Sequence, residues 1–266
     1  MAKDIKKFLE LMPQAGGDGK LTEKLDEKKI AEGLAGLYGS GAKDVGESVK
    51  ALAGAIQILG EEPSVRPVYA LHALGNHILQ KKDAASRKAF IEEVTKLLDQ
   101  EMPKCKKAFL MEELQWFGGQ ESVAPLGKFL TDEQFTDVAG MALVTIGGSG
   151  AVKMLQDQLP KTQGRATLVT LHSLAALGSV AGESALGVFE KHLNDKDLEL
   201  RLAAASGLAE IGTVKAANAL MKRTKAERPW EGIRLRKYGL VLAEKLESEG
   251  KKADGQKLRK YAKQFG

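Results

Sequence analysis

The sequence predicts an all-α fold: a solenoid of antiparallel helix pairs wound as a right-handed superhelix. Three observations carry that reading. A helical stretch closed by glycine recurs four times, with anchors at Gly118, Gly147, Gly178 and Gly212 spaced 29, 31 and 34 residues apart. Each anchor is followed by a second stretch whose apolar residues also step by three and four, as a helix requires. The composition is 43% hydrophobic but only 5% aromatic, with 29 glycines in 266 residues, which suits small-residue packing and many turns.

From the N-terminus, residues 3–12 read as a short helix stopped by Pro13, and QAGGDGK at 14–20 reads as a linker. Helices at 26–38 and 43–59 follow. SVRPVYALHALGNHIL is a weaker copy of the repeating stretch, with Leu74 in the leucine position and Ile78 in place of the glycine. A helix at 84–100 then pairs with one at 104–117.

The four glycine-closed stretches are KCKKAFLMEELQWFGG, EQFTDVAGMALVTIGG, GRATLVTLHSLAALG and ELRLAAASGLAEIG. Leu114, Leu143, Leu174 and Leu208 stand four residues before the glycine, and Phe117, Ile146, Leu177 and Ile211 one before it. In the last copy Asp197 can cap the helix start and Gly212 can end it. The partner stretches are SVAPLGKFLTD, GAVKMLQDQLPK, ESALGVFEKHLND and KAANALMKRT. Neither helix of a pair can bury its apolar stripe alone, whereas stacking successive pairs buries both. The implied organisation is N-terminal helices and cap over 1–62, repeats over 63–224 and a basic C-terminal helical cap over 225–266.

The stretch DKDLELRLAAASGLAEIG resembles the second helix of HEAT-like repeats: an Asp turn, an Arg, Ala-rich packing, a Leu and a closing Gly. Arg201 fills the Arg position, while Thr136 and Thr167 replace it in two other copies. The short spacing is similar to the bacterial HEAT-like type described in phycobilin lyases, and the resemblance covers about 63–224. The region 231–266 resembles the C-terminal helical cap of planctomycete-type HEAT-repeat proteins. The tetratricopeptide and ankyrin signatures are absent.

The HEAT resemblance implies that the repeat-helix face opposite Ala204, Leu208 and Ile211 lines a concave surface. Transferring the register gives three columns across the copies. The first is Tyr69, Phe109, Val138, Val169 and Ala203; the second is His72, Glu112, Met141, His172 and Ser206; the third is Asn76, Trp116, Thr145, Ala176 and Glu210. They hold no Lys or Arg. Such a surface suits a protein or peptide partner anchored by Trp116, Tyr69 and Phe109 and oriented by Glu112 and Glu210. The bland alternative is that the aromatics merely patch Ala-packed layers.

Charge supplies a second functional reading. From Thr213 onward 15 Lys and Arg face 6 Asp and Glu, a surplus of nine, so the first 212 residues carry −4 of the total of +5. Arg228, Trp230, Arg234, Arg236 and Lys237 interleave an aromatic with cations, as nucleic-acid binders do. The alternative is a solvated helix face, with pairs such as Arg236–Glu244 or Lys245–Glu249. HEAT-like DNA glycosylases line the concave face with Arg, which these columns lack.

Other chemistries find little support. GGDGKLT at 16–22 has the Gly-Lys of a phosphate-binding loop, but Gln14 stands where the first Gly is needed and Leu21 follows the Lys. The histidines 72, 77, 172 and 192 are followed by Ala, Ile, Ser and Leu, not by the Glu of HEAT-like di-iron enzymes. His72 and His172, three repeats apart, are expected about 30 Å from each other at about 10 Å per helix layer. No metal or cofactor is predicted. Cys105, the single cysteine, excludes an internal disulfide. It sits at a helix start between Pro103 and two lysines, which leaves an accessory lyase role as a third reading. No apolar run approaches the roughly 18 residues of a membrane span. MAKDIKKFLELMP does not read as a signal peptide; cytoplasm is the default compartment, with export the alternative if a signal was removed. The expected function is a non-enzymatic scaffold.

Overall fold

The computed structural model describes residues 5–14, 20, 24–60 and 62–266. Most of the fragment 16–22 and of the predicted linker 14–20 lies outside the described residues, as do residues 3 and 4 of the first predicted helix. The fold is an all-α solenoid, and the chain divides into two compact units, 1–122 and 123–266.

In the first unit, α1 (Ile5–Glu10), α2 (Glu27–Tyr38) and α3 (Ala42–Ala55) precede α4 (Val65–Lys81), α5 (Ala84–Leu98) and α6 (Lys104–Phe117). α3 packs beside α5 and α4 beside α6, giving two layers. The apolar steps of these helices interlock between the layers: Val45, Val49, Leu52, Leu71, Leu74, Ile78, Phe90, Val94, Leu110 and Leu114 are buried. Asp83 caps α5, accepting from the backbone N–H of Ala85 and Ser86 and from the Tyr38 hydroxyl at 2.6 Å. Hydrogen bonds from Ser86 and Tyr38 hold its carboxyl down at about 2.

The predicted helix 43–59 is shorter than expected. It ends at Ala55, and the β-branched Ile56 adopts an extended backbone. Residues 58–59 and 62–63 then form a two-stranded antiparallel ladder, with Ile58 opposite Pro63. Gly60 supplies the positive φ of the turn, 69°.

The second unit repeats the two-layer plan. One file runs α8 (Thr136–Ile146), α10 (Gly164–Ala176), α13 (Leu198–Ile211), α15 (Pro229–Ser248). The other contains α9 (Gly148–Gln158), α11 (Gly178–Ala181), α12 (Leu186–His192), α14 (Val214–Met221) and α16 (Lys252–Ala262). The helix α7 (Gln120–Gly127) spans the division between the units. The predicted partner stretches contain helices, but the first is helical only as far as Gly127 and the third opens in a 3-10 turn, Gly182–Ala185. Leu143, Leu174 and Leu208 are all fully buried. Gly212 ends α13 with φ 77°, a left-handed conformation that costs glycine little, and Asp197 caps the start by accepting from Glu199 N–H at 2.8 Å.

The Arg position of the repeat has a specific task. Arg201 is buried and its Nη1 donates to the carbonyls of Asp195 and Lys196, six and five residues back, at 2.9 and 3.1 Å. Thr136 does the same in a shorter form, its hydroxyl reaching Leu130 O, six residues back, at 3.2 Å and Asp132 O at 2.6 Å. Thr167 shares a hydrogen bond with the hydroxyl of Thr162 at 3.1 Å. Each side chain ties a helix start to the turn before it, satisfying groups otherwise left without partners.

Candidate partner surface

In the first unit the predicted columns fall on α4 and α6. Tyr69 and Asn76 are exposed on α4, and Glu112 and Trp116 are exposed on α6. Trp116 is 61% exposed and Tyr69 45%. His72 lies between the helices: its ring meets Trp116 edge-on, centroids 6.3 Å apart, and tilts against Phe117 at 5.0 Å. Nδ1 of His72 stands 3.0 Å from Oε1 of Glu113, a carboxylate that periodicity did not single out and that is almost fully buried. The hydrogen bond to Glu113 raises the His72 pKa, while burial raises that of Glu113. Glu113 Oε2 has no hydrogen-bond partner. Glu112 makes no ion pair among the described residues, and partial burial raises its pKa too.

Phe109 is placed differently from expectation. It retains only 8% exposure and belongs to the core, so it offers no anchor to a partner. A full turn of α6 separates Phe109 from Glu113, and both are covered, which widens the buried face of α6 beyond its simple apolar stripe.

The second unit carries the remaining positions. Met141 is 60% exposed and Thr145 is exposed on α8, its hydroxyl donating back to Met141 O at 3.1 Å. His172 and Ala176 are exposed on α10, and burial depresses the His172 pKa. Val138, Val169 and Ser206 are half-buried, whereas Ala203 is fully buried. Glu210 is engaged by its own chain: Lys245 Nζ on α15 reaches its Oε2 at 2.8 Å and also donates to Ala209 O. The Lys245–Glu249 pair does not form; Glu249 pairs with Lys251. α15 packs against α13, which brings Lys245 beside Glu210.

The C-terminal residues sit on or beside α15. Arg228 caps its start, and Trp230, Arg234, Arg236 and Lys237 are exposed. Buried Glu231 fixes the first turn of this helix. Its carboxylate accepts from Arg201 Nε at 2.9 Å, Arg223 Nη2 at 3.0 Å and Glu227 N–H at 2.7 Å. The steps of 100° per residue then turn Trp230 and Ile233 outward.

Elsewhere, His77 stacks edge-on against Tyr38 and His192 meets Asp195 at 3.3 Å. Cys105 is a half-buried free thiol in the first turn of α6, without a hydrogen-bond partner among the described residues. That leaves the lyase reading without an oriented base. Among the described residues no group of three or more His, Cys, Asp or Glu is placed to hold a metal ion. No helix among them is long and apolar enough to cross a membrane.

Comparison with known proteins agrees with the repeat architecture. A family model described as HEAT repeats matches residues 152–234. This segment runs from α9 into α15 and includes Arg201, Arg223 and Glu231. The crystal structure of an engineered protein is similar at 19% identity, covering 88% of this chain and 97% of its own, with a TM-score of 0.38. A protein from the computational design of self-assembling cyclic homo-oligomers aligns at 16% identity over 98% of this chain and 90% of its own, with a TM-score of 0.22. No curated protein matches the chain. Residues 152–234 of the chain are thus similar to HEAT repeats.

Proposed function

We propose that this HEAT-like chain is a non-enzymatic scaffold that holds a protein or peptide partner on the exposed face of α4 and α6. The observation that carries the reading is Trp116: a large aromatic left 61% exposed on a helix whose opposite face is fully packed. Leaving such a ring in water forgoes roughly 1.5–3 kcal/mol of burial, which a partner can recover. Beside it, Tyr69 and His72 add contact area, and the unpaired carboxylate of Glu112 supplies direction. The second unit has a surface of the same type on its own helices, with Met141, Thr145, His172 and Ser206, weakly polar and without Lys or Arg.

A benzophenone side chain placed at position 116 tests this in the native host. A discrete crosslinked protein is expected there and not from position 88, where Lys88 is exposed on α5 in the other layer. Equal yields from both positions, or none from 116, would remove the proposal.

A further inference from the structure

The exposed face of α15 carries apolar groups that are only partly covered and cations with no carboxylate partner among the described residues. Ile233 is 64% exposed and Trp230 40%. A shallow groove along the helix is lined by Ile233, Arg236, Lys237, Leu240, Val241 and Glu244. Their spacing, i, i+3, i+4, i+7, i+8, i+11, is a single helical stripe, the footprint over which one helix packs on another. The side chains of Arg228, Arg234, Arg236 and Lys237 make no hydrogen bond or ion pair among the described residues. Their neighbours behave otherwise: Lys222 pairs with Glu190, Arg223 with Glu231, Lys245 with Glu210 and Arg259 with Glu247. Other surface cations, Lys225 and Lys260 among them, also lack a carboxylate partner within the described residues, but these four gather on or beside a single helix.

We propose that this face binds an amphipathic helix bearing acidic flanks, on a partner distinct from the one at Trp116. Apolar side chains of that helix sit against Ile233, Leu240 and Val241. Its carboxylates meet Arg234, Arg236 and Lys237, and Arg228 extends the positive end. Glu244 closes the other end of the groove, so a cation on the bound helix there fixes its direction. Charge complementarity across a helix-in-groove contact gives both partner choice and orientation. A phosphate backbone matches the face less well, because Ile233, Leu240, Val241 and Glu244 interrupt the cations and offer a phosphate nothing.

The test uses the full-length 15N-labelled protein and four probes. The first is a synthetic helix of about five turns, with leucines along one stripe and glutamates on both flanks. The others are its twin with lysine flanks, a mixed-sequence DNA duplex and phosphatidylserine vesicles. The acidic peptide is expected to shift the amides of Ile233, Leu240 and Val241 saturably. Reversal of three charges, Arg234→Glu with Arg236→Glu and Lys237→Glu, is expected to weaken it about tenfold or more and to admit the lysine twin. These side chains are exposed, so the thermal transition should not move, and Ile233→Glu gives a second variant that keeps the cations. The proposal is overturned if the acidic peptide gives no saturable shifts or binds no better than its twin. It is equally overturned if these amides answer only to duplex or vesicles, or if sedimentation shows a second copy of the chain already covering them. None of these results bears on Trp116.

Discussion

Arg201 and Glu231 form a two-pronged ion pair that joins α13 to α15, with Nε to Oε1 at 2.9 Å and Nη2 to Oε2 at 3.2 Å, both side chains buried. The pair is closed by further donors, so every prong of the carboxylate is satisfied. Breaking one side leaves a charge with too few partners, which costs about 3–5 kcal/mol. Arg201→Met should lower the unfolding free energy in urea by that amount; a loss under about 1 kcal/mol, the value of an exposed pair, would contradict the buried geometry.

The same pair sets an acid limit. Burial alone would raise the Glu231 pKa, but its bonds to Arg201, Glu227 and Arg223 hold it below the ordinary 4.5. A carboxyl depressed in the folded state contributes stability that is present above 4.5 and lost as pH falls through its folded value. Stability of the wild type should fall on acidification below that point, and Glu231→Gln should flatten the fall. A Gln variant with an unchanged acid profile would locate the sensitivity elsewhere.

The His72–Glu113 pair has the opposite dependence. Its hydrogen bond to Glu113 holds the His72 pKa above 6.5, so the stability it contributes is complete below 6.5 and is lost as pH rises through the folded value. Glu113, raised by burial, adds a cost as it ionises, also with rising pH. The His72 imidazole shifts in an NMR titration should show a midpoint above 6.5 that drops in Glu113→Gln. A midpoint that is the same in both proteins would rule out the pairing.

Two glycines on helices should respond with opposite signs. A Cβ at Gly207 would run into the ring of Phe189, which is itself fully buried, so Gly207→Ala should cost about 1–3 kcal/mol. Gly46, within α3, has open space where a Cβ would stand, and Gly46→Ala should stabilise by about 0.5–1 kcal/mol. Thermal melts of the two variants decide it; shifts of the same sign would mean that the packing at Gly207 is looser than described.

Much of this fold was legible because the repeat places one kind of residue in one kind of setting. Leu114, Leu143, Leu174 and Leu208 are all buried without exception. The glycine anchors are less uniform than one letter suggests. Gly147 and Gly212 adopt positive φ, whereas Gly178 leaves room for Glu210 and the Gly207 carbonyl, a close approach between helices. The candidate surface was legible only in part. Periodicity gives the direction of a side chain but not what another helix lays over it. Hence Trp116, Tyr69 and Met141 are exposed, while Phe109 and Ala203 are covered and Glu210 is taken by Lys245. Glu113 escaped notice because a carboxylate on a buried stripe reads as polar until its histidine partner, 41 residues away, is seen beside it.

The most direct test of the scaffold account is the affinity of Trp116→Ala for the protein crosslinked at position 116, measured alongside its thermal unfolding. An exposed anchor predicts a loss of about 2 kcal/mol or more in binding, with stability within about 0.5 kcal/mol of wild type. Unchanged affinity, or a variant that unfolds, would contradict the assignment of this face as the partner's seat.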